Sequence, residues 1–174
     1  MPHIIPELHK NYPKLEMYLH EAQTHSLLAQ LDSGKLDCAI LAMVKESAPF
    51  IEVPLFEEPM KLAIYEGHPW HERRSVPMGD LAGQRLLMLE DGHCLRDQAL
   101  GFCFQAGAKE DTHFRATSLE TLRNMVAAGS GITLLPDLSV PQEQKRDGVC
   151  YLRMYRSKSI TFYYFGLSSR IAFA

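Results

Sequence analysis

The run Leu36-Asp37-Cys38-Ala39-Ile40-Leu41-Ala42-Met43 does most to narrow the folds open to this chain. It is nearly continuous in apolar residues and far too short to span a membrane, so it reads as a strand covered on both faces, as in a parallel sheet. Just before it, Leu15, Met17 and Leu19 alternate with polar residues, which predicts a strand with those three on one face. Between the two, Thr24 is placed to cap a helix with Leu27, Leu28 and Leu31 inward, ended by Gly34. Strand, helix and strand in this order predict a βαβ unit and an α/β chain. Cys38, inside the second strand, reads as inert packing.

The remaining segments repeat the alternation. Residues 3–12 read as a short helix with Ile4, Ile5, Leu8 and Tyr12 inward, stopped by Pro13. Pro54-Leu55-Phe56-Glu57-Glu58-Pro59 breaks the pattern and reads as a crossing into a second lobe. Beyond it, strands are expected over 61–65, 85–89, 112–117, 131–136 and 149–152, with a turn at 66–70 and a short helix over 76–83. A helix over about 94–106 ends at Gly107. Another, capped by Ser118, turns Leu119, Leu122, Met125 and Val126 inward and ends at Gly129. Two α/β lobes with a cleft between them are expected.

The chain has 174 residues, 46% of them hydrophobic, enough for a core in one domain or two small lobes. Its net charge of −3 and scattered Lys and Arg give no footprint for nucleic acid. The N-terminus lacks a basic region followed by an apolar run, as a signal peptide would have. Four cysteines without regular spacing make no disulfide scaffold. A cytoplasmic globular protein, with no membrane segment and no cofactor, is the expectation. In that compartment a disulfide is transient and regulatory.

Chemistry concentrates in Gly92-His93-Cys94-Leu95-Arg96-Asp97-Gln98-Ala99-Leu100-Gly101-Phe102-Cys103. A thiol reacts as thiolate, and nearby positive charge lowers its pKa. His93, Arg96 and the free N–H groups of a helix start could act together on Cys94. Cys103, between Phe102 and Phe104, resembles a sheltered thiol. Two readings stand: two core cysteines on an amphipathic helix, or a reactive thiol with a resolving partner. Oxidation of the first to sulfenic acid, then condensation with the second, would give a disulfide. Nine positions along a helix separate Cα atoms by about 13.5 Å, whereas a disulfide needs about 4.4–6.8 Å. A Cys94–Cys103 bond therefore requires the helix to unwind.

Other chemistries lack support. A zinc site from Cys94, Cys103, His93 and His113 would lack the usual close Cys spacing, and no metal is expected. The chain contains no G-x-S-x-G, P-loop or G-x-G-x-x-G motif. A cysteine hydrolase or a thiol peroxidase-like enzyme would need an oxyanion hole or recycling machinery that nothing here specifies, so the expectation is not an enzyme. Thr24 could orient a small ligand or water, or serve as a plain cap.

Residues 31–40, the His68-Pro69-Trp70 turn and Val126–Pro136 resemble the effector-binding domain of LysR-type transcription regulators. The Gly92–Cys103 stretch, with Leu119-Glu120-Thr121-Leu122-Arg123 after it, resembles the peroxide-sensing members of that family. The resemblance covers roughly residues 3–152. It implies that Cys94 is the peroxide-reactive thiol and Cys103 its disulfide partner, with Thr24, His93 and Arg96 around the peroxide pocket. It implies a fold of two periplasmic-binding-protein-like lobes hinged near residues 56 and 162. Lobe I would hold residues 1–56 plus 163–174 and lobe II residues 57–162. Hydrogen peroxide is the implied ligand. The implied partners are further copies, as a homodimer or tetramer of the parent protein, DNA through a helix-turn-helix domain absent from this chain, and RNA polymerase.

Set against the family pattern, the first strand of lobe I is missing and residues 153–166 diverge, as if the chain were truncated at both ends and lobe I incomplete. A family member sensing a small anionic metabolite, with structural cysteines, is the alternative.

Overall fold

An apolar segment becomes a strand only when a neighbour accepts its backbone hydrogen bonds, and in this chain the neighbours are mostly antiparallel. The structure, a computed structural model, describes residues 4–42, 50–92, 94–141, 143, 145–155 and 159–167, with all their side chains except those of Cys94, Cys103 and Leu167. In chain order the elements are α1 (Ile5–Asn11), α2 (Thr24–Asp32), β1 (Cys38–Ala42), β2 (Phe50–Glu58), β3 (Met60–Tyr65), β4 (Ser75–Pro77), β5 (Arg85–Leu89), α3 (Cys94–Ala106), β6 (Lys109–Ala116), α4 (Leu119–Ala127), β7 (Thr133–Pro136), β8 (Lys145–Arg146), β9 (Val149–Tyr155) and β10 (Ile160–Leu167). Short 3₁₀ turns cover Met78–Leu81 and Asp137–Ser139. Among the described residues no helix is long and apolar enough to cross a membrane.

The first lobe is a three-stranded antiparallel sheet in the order β1-β10-β2, with α2 packed on it through Leu27 and Leu31. This overturns the expected βαβ unit. Residues 15–20 are not a strand, and Leu15, Tyr18 and Leu19 are exposed. The alternation is there, but among the described residues no neighbouring strand takes their hydrogen bonds. β1 is an edge strand that buries Ala39, Leu41 and Ala42 but exposes Ile40 and Cys38. Cys38 is thus surface, not packing. The divergent C-terminal stretch supplies β10, the central strand of this sheet. α1 forms ahead of Pro13 as expected but buries none of its residues, and Ile4 and Tyr12 are exposed.

Pro54 does not break the chain into a crossing; it lies inside β2. It sits where the β2–β10 ladder shifts register, opposite Tyr163, while Phe162 faces Phe56. A proline is tolerated at such a bulge because it has no N–H to donate. β2 of this sheet ends at Glu58, and β3, which begins at Met60, belongs to the next sheet.

The second lobe has the sheet order β4-β9-β3-β7, with β8 against β9. A parallel bridge between Leu86 and Ile132 links β7 to the parallel pair β5-β6. α3 covers one face through Ala99 and Phe102, and α4 covers the other through Leu122 and Val126. Ser118 caps α4 by accepting from the Thr121 N–H at 3.1 Å, and Gly129 follows at φ +76°, both as expected. The fold is thus α/β and two-lobed, of the periplasmic-binding-protein type.

Candidate functional site

α3 begins at Cys94, after the turn Asp91-Gly92, and runs unbroken to Ala106, so both cysteines of the singled-out stretch lie on one helix. Leu95, Ala99 and Phe102 face the second-lobe core. Phe102 is 6% exposed and Phe104 72% exposed, so one of these two phenylalanines lies in the core and the other in solvent. The side chains of Cys94 and Cys103 and the whole of His93 lie outside the described residues.

Thr24 is the first residue of α2, with Gln23 at the cap position; neither side chain makes a cap bond. The expected cap role is therefore corrected. Instead the Thr24 N–H donates to the Gly92 carbonyl at 3.1 Å. Gln23 Nε2 donates to the Asp91 carbonyl at 3.4 Å and to Glu90 Oε1 at 3.5 Å. The start of α2 in one lobe thus abuts the turn that leads into Cys94 in the other.

Arg96 lies in the first turn of α3 with its side chain only 8% exposed. Nη2 donates to Glu110 Oε1 at 2.8 Å and lies 3.2 Å from Asp91 Oδ1. Arg115 joins the same carboxylates, its Nε 3.5 Å from Glu110 Oε1 and its Nη1 paired with Asp91. Two guanidiniums balance two carboxylates, with Asp97 4.0 Å from Arg96. The Arg96 charge is therefore compensated by carboxylates, and the N-terminus of α3 adds a positive field of its own. Arg96 Nε is buried and has no hydrogen-bond partner among the described residues.

A void of about 10 Å³ under α3 is lined by Leu95, Arg96, Ala99, Leu89, Leu122 and Thr133 among others. That is room for one water-sized molecule and excludes an organic ligand. The two thiols whose side chains are described, Cys38 and Cys150, are both shifted away from the thiolate. Burial pushes the Cys150 thiol up, eased by Lys145 and reinforced by Glu66. Desolvation and then the Asp37 carboxylate push the Cys38 thiol up as well.

The LysR substrate binding domain model matches residues 1–167 of this chain. The chain belongs to that family. The hydrogen peroxide-inducible genes activator of Pectobacterium carotovorum subsp. carotovorum is 81% identical over 156 residues, covering 90% of this chain and 52% of the relative. The DNA-binding transcriptional dual regulator OxyR of Escherichia coli (strain K12) is 82% identical over 152 residues, 87% of this chain and 50% of that protein. The chain thus spans about half the length of the curated relatives it matches. A crystal structure of the oxidized form of OxyR superposes with TM-score 0.88 at 73% identity, over 97% of this chain and 80% of that one. The reduced form gives 0.87 at 71% identity, over 95% and 78%.

In this LysR substrate binding domain, sequence reasoning missed Gln23, Asp91, Glu110 and Arg115. Strict alternation puts Glu110 and Arg115 on opposite faces of a strand, being an odd number apart. They meet because the β5–β6 ladder shifts register between Leu86, opposite Glu110, and Met88, opposite Arg115.

Proposed function

We propose that this chain is the peroxide-sensing regulatory domain of a LysR-type transcription activator, with Cys94 as the reactive thiol and Cys103 as its disulfide partner. The observation that carries this is the placement of Cys94 at a helix start, on the turn that the Thr24 N–H holds from the facing lobe at 3.1 Å. The likeness to peroxide-inducible activators and to OxyR in two redox forms supports it. Thr24, His93 and Arg96 are proposed to frame the peroxide pocket, with the spare Arg96 Nε–H offered to the anion formed at Cys94.

The chemistry is balanced. The Cys94 thiolate attacks one peroxide oxygen, forming S–O as O–O breaks, and the departing hydroxide takes up a proton to become water. Cys103 then attacks the sulfenic sulfur, forming S–S and releasing a second water. Two thiols are oxidised and one peroxide is reduced. Because α3 separates the two Cα atoms by about 13.5 Å, closure requires α3 to unwind, and that change is the signal.

The lobes are proposed to divide as residues 1–56 plus 163–174 and residues 57–162. The register shift in the β2–β10 ladder beside Phe162, whose ring stacks on Phe56 at 5.1 Å, supports a hinge there. The parent protein is read as a cytoplasmic regulator rather than an enzyme. It would act as a homodimer or tetramer, bind DNA through a separate helix-turn-helix domain and contact RNA polymerase.

The test is to treat the reduced chain with equimolar hydrogen peroxide, alkylate it and map disulfides by mass spectrometry. A Cys94–Cys103 bond is expected, and Cys103→Ser traps sulfenic acid at Cys94. Absence of the bond in protein that is folded by circular dichroism overturns the reading.

A further inference from the structure

Lys61 on β3 and Arg153 on β9 stand directly opposite each other in an antiparallel ladder. Arg74 abuts them, its carbonyl accepting from the Arg153 N–H at 3.2 Å. Like charges in directly opposed positions destabilise a sheet, yet three cations gather here. They line a cavity of about 280 Å³ that shares no lining residue with the Thr24–Gly92–Arg96 region. Asp137 answers Lys61 at 3.1 Å. Among the described residues no carboxylate pairs with Arg74 or Arg153, and Glu143 is the one acidic residue of the lining.

Tyr151 completes the wall. It precedes Arg153 by two positions, on the same face of β9, and is 5% exposed. Its hydroxyl lies near the Arg123 guanidinium but has no well-aligned hydrogen-bond partner among the described residues. Arg123 itself donates to the Ser139 carbonyl at 2.7 Å, next to Val140 and Pro141 of the lining. Among the described residues the Tyr151 hydroxyl thus has only a donor group beside it, and the exposed Arg74 and Arg153 on the same lining have no carboxylate, so the wall offers cations and donors but few acceptors.

We infer that this cavity binds a small, multiply charged oxyanion of the phosphate type through Lys61, Arg74, Arg153 and the Tyr151 hydroxyl. Guanidinium forks match phosphate oxygens in geometry and charge. A tetrahedral anion presents acceptors to several walls at once, as a planar monocarboxylate cannot. The inference is independent of the peroxide chemistry.

The test uses the reduced full chain with inorganic phosphate as probe, against chloride at equal ionic strength, read by thermal unfolding and by calorimetric titration. A saturable rise in the unfolding midpoint with phosphate is expected, with acetate weaker. Arg74→Gln/Arg153→Gln should lose about tenfold or more in phosphate affinity. Without phosphate that variant should be at least as stable as the parent, since it relieves the opposed charges. No saturable effect of phosphate, equal binding of acetate, or unchanged phosphate affinity in the variant overturns the inference.

Discussion

Arg96 donates from Nη2 to Glu110 Oε1 at 2.8 Å, joining the first turn of α3 to β6. The bond is the inner part of a network, since the Arg96 side chain is 8% exposed and Glu110 16%, whereas Asp91 is 70% exposed. α3 is therefore held in its helical form by a charge contact two residues from Cys94, within the first turn, as well as by the apolar face that follows.

Glu110→Gln removes the partly buried charge that faces Arg96 and leaves an inward guanidinium undercompensated. A loss of about 1.5–3 kcal/mol is expected, read as a lower urea midpoint in reducing buffer. Asp91→Asn should cost less, about 0–1 kcal/mol, because that partner is solvated. Equal costs for the two variants would show that the pairing is not graded by burial.

Phe102 is the largest buried anchor of α3, and on the proposed switch it must leave its site when the disulfide closes. Phe102→Ala removes about 3–5 kcal/mol of packing, and the share lost on unwinding no longer opposes oxidation. At about 30 mV per 1.4 kcal/mol, the reduction potential should become more negative by at least about 30 mV in glutathione redox titration. A shift toward less negative potential, or none, would mean that the helical form is not the reduced one.

Legibility followed locality. The helix over 94–106, the Ser118 cap and most strands of the second lobe were readable because caps, glycines and apolar periods lie within a few residues of one another. β4 was not, since Ser75–Pro77 opens the stretch read as a helix over 76–83, of which only a 3₁₀ turn at Met78–Leu81 forms, and neither was the two-residue β8. The first lobe was misread because its pairing is remote. β1 finds its partner in β10, more than a hundred residues away, and nothing in the run Leu36–Met43 says that Cys38 and Ile40 face outward on an edge strand. At the site, the charge beside Cys94 was readable from Arg96. Its neutralisation by Glu110 was not, because it depends on the register shift in β6.

His68 is buried, with Nδ1 accepting from the Trp70 N–H at 3.2 Å and its ring edge-on to Trp70. Burial, then the Arg73 and His71 charges, hold its pKa below the ordinary histidine value. The folded state thus binds fewer protons than the unfolded one, so this contribution is present above about pH 6.5 and is lost as pH falls through the lower folded value. Fluorescence of Trp70, the sole tryptophan, should report a smaller urea midpoint at about pH 5.5 than at about pH 7.5. His68→Gln should reduce that difference; an unchanged difference would assign it to the other histidines.

Gly92 carries φ +94°, and a Cβ there would lie 3.1 Å from Gln23 Cδ and Oε1. Gly92→Ala therefore combines backbone strain with a side-chain clash, at an expected cost of about 1–3 kcal/mol. The two parts can be separated, because Gln23 is flexible while the backbone angle is not. In a double-mutant cycle, Gln23→Ala/Gly92→Ala should cost less than the sum of the single changes, with the φ strain remaining; strict additivity in reducing buffer would remove the steric part. Because the Gly92 carbonyl also accepts the Thr24 N–H, displacing the turn should pull α2 away from the start of α3. Peroxide oxidation of Cys94 should then slow in Gly92→Ala, measured as the rate of thiol loss at fixed peroxide, while alkylation by a small uncharged reagent on the unfolded chain stays unchanged.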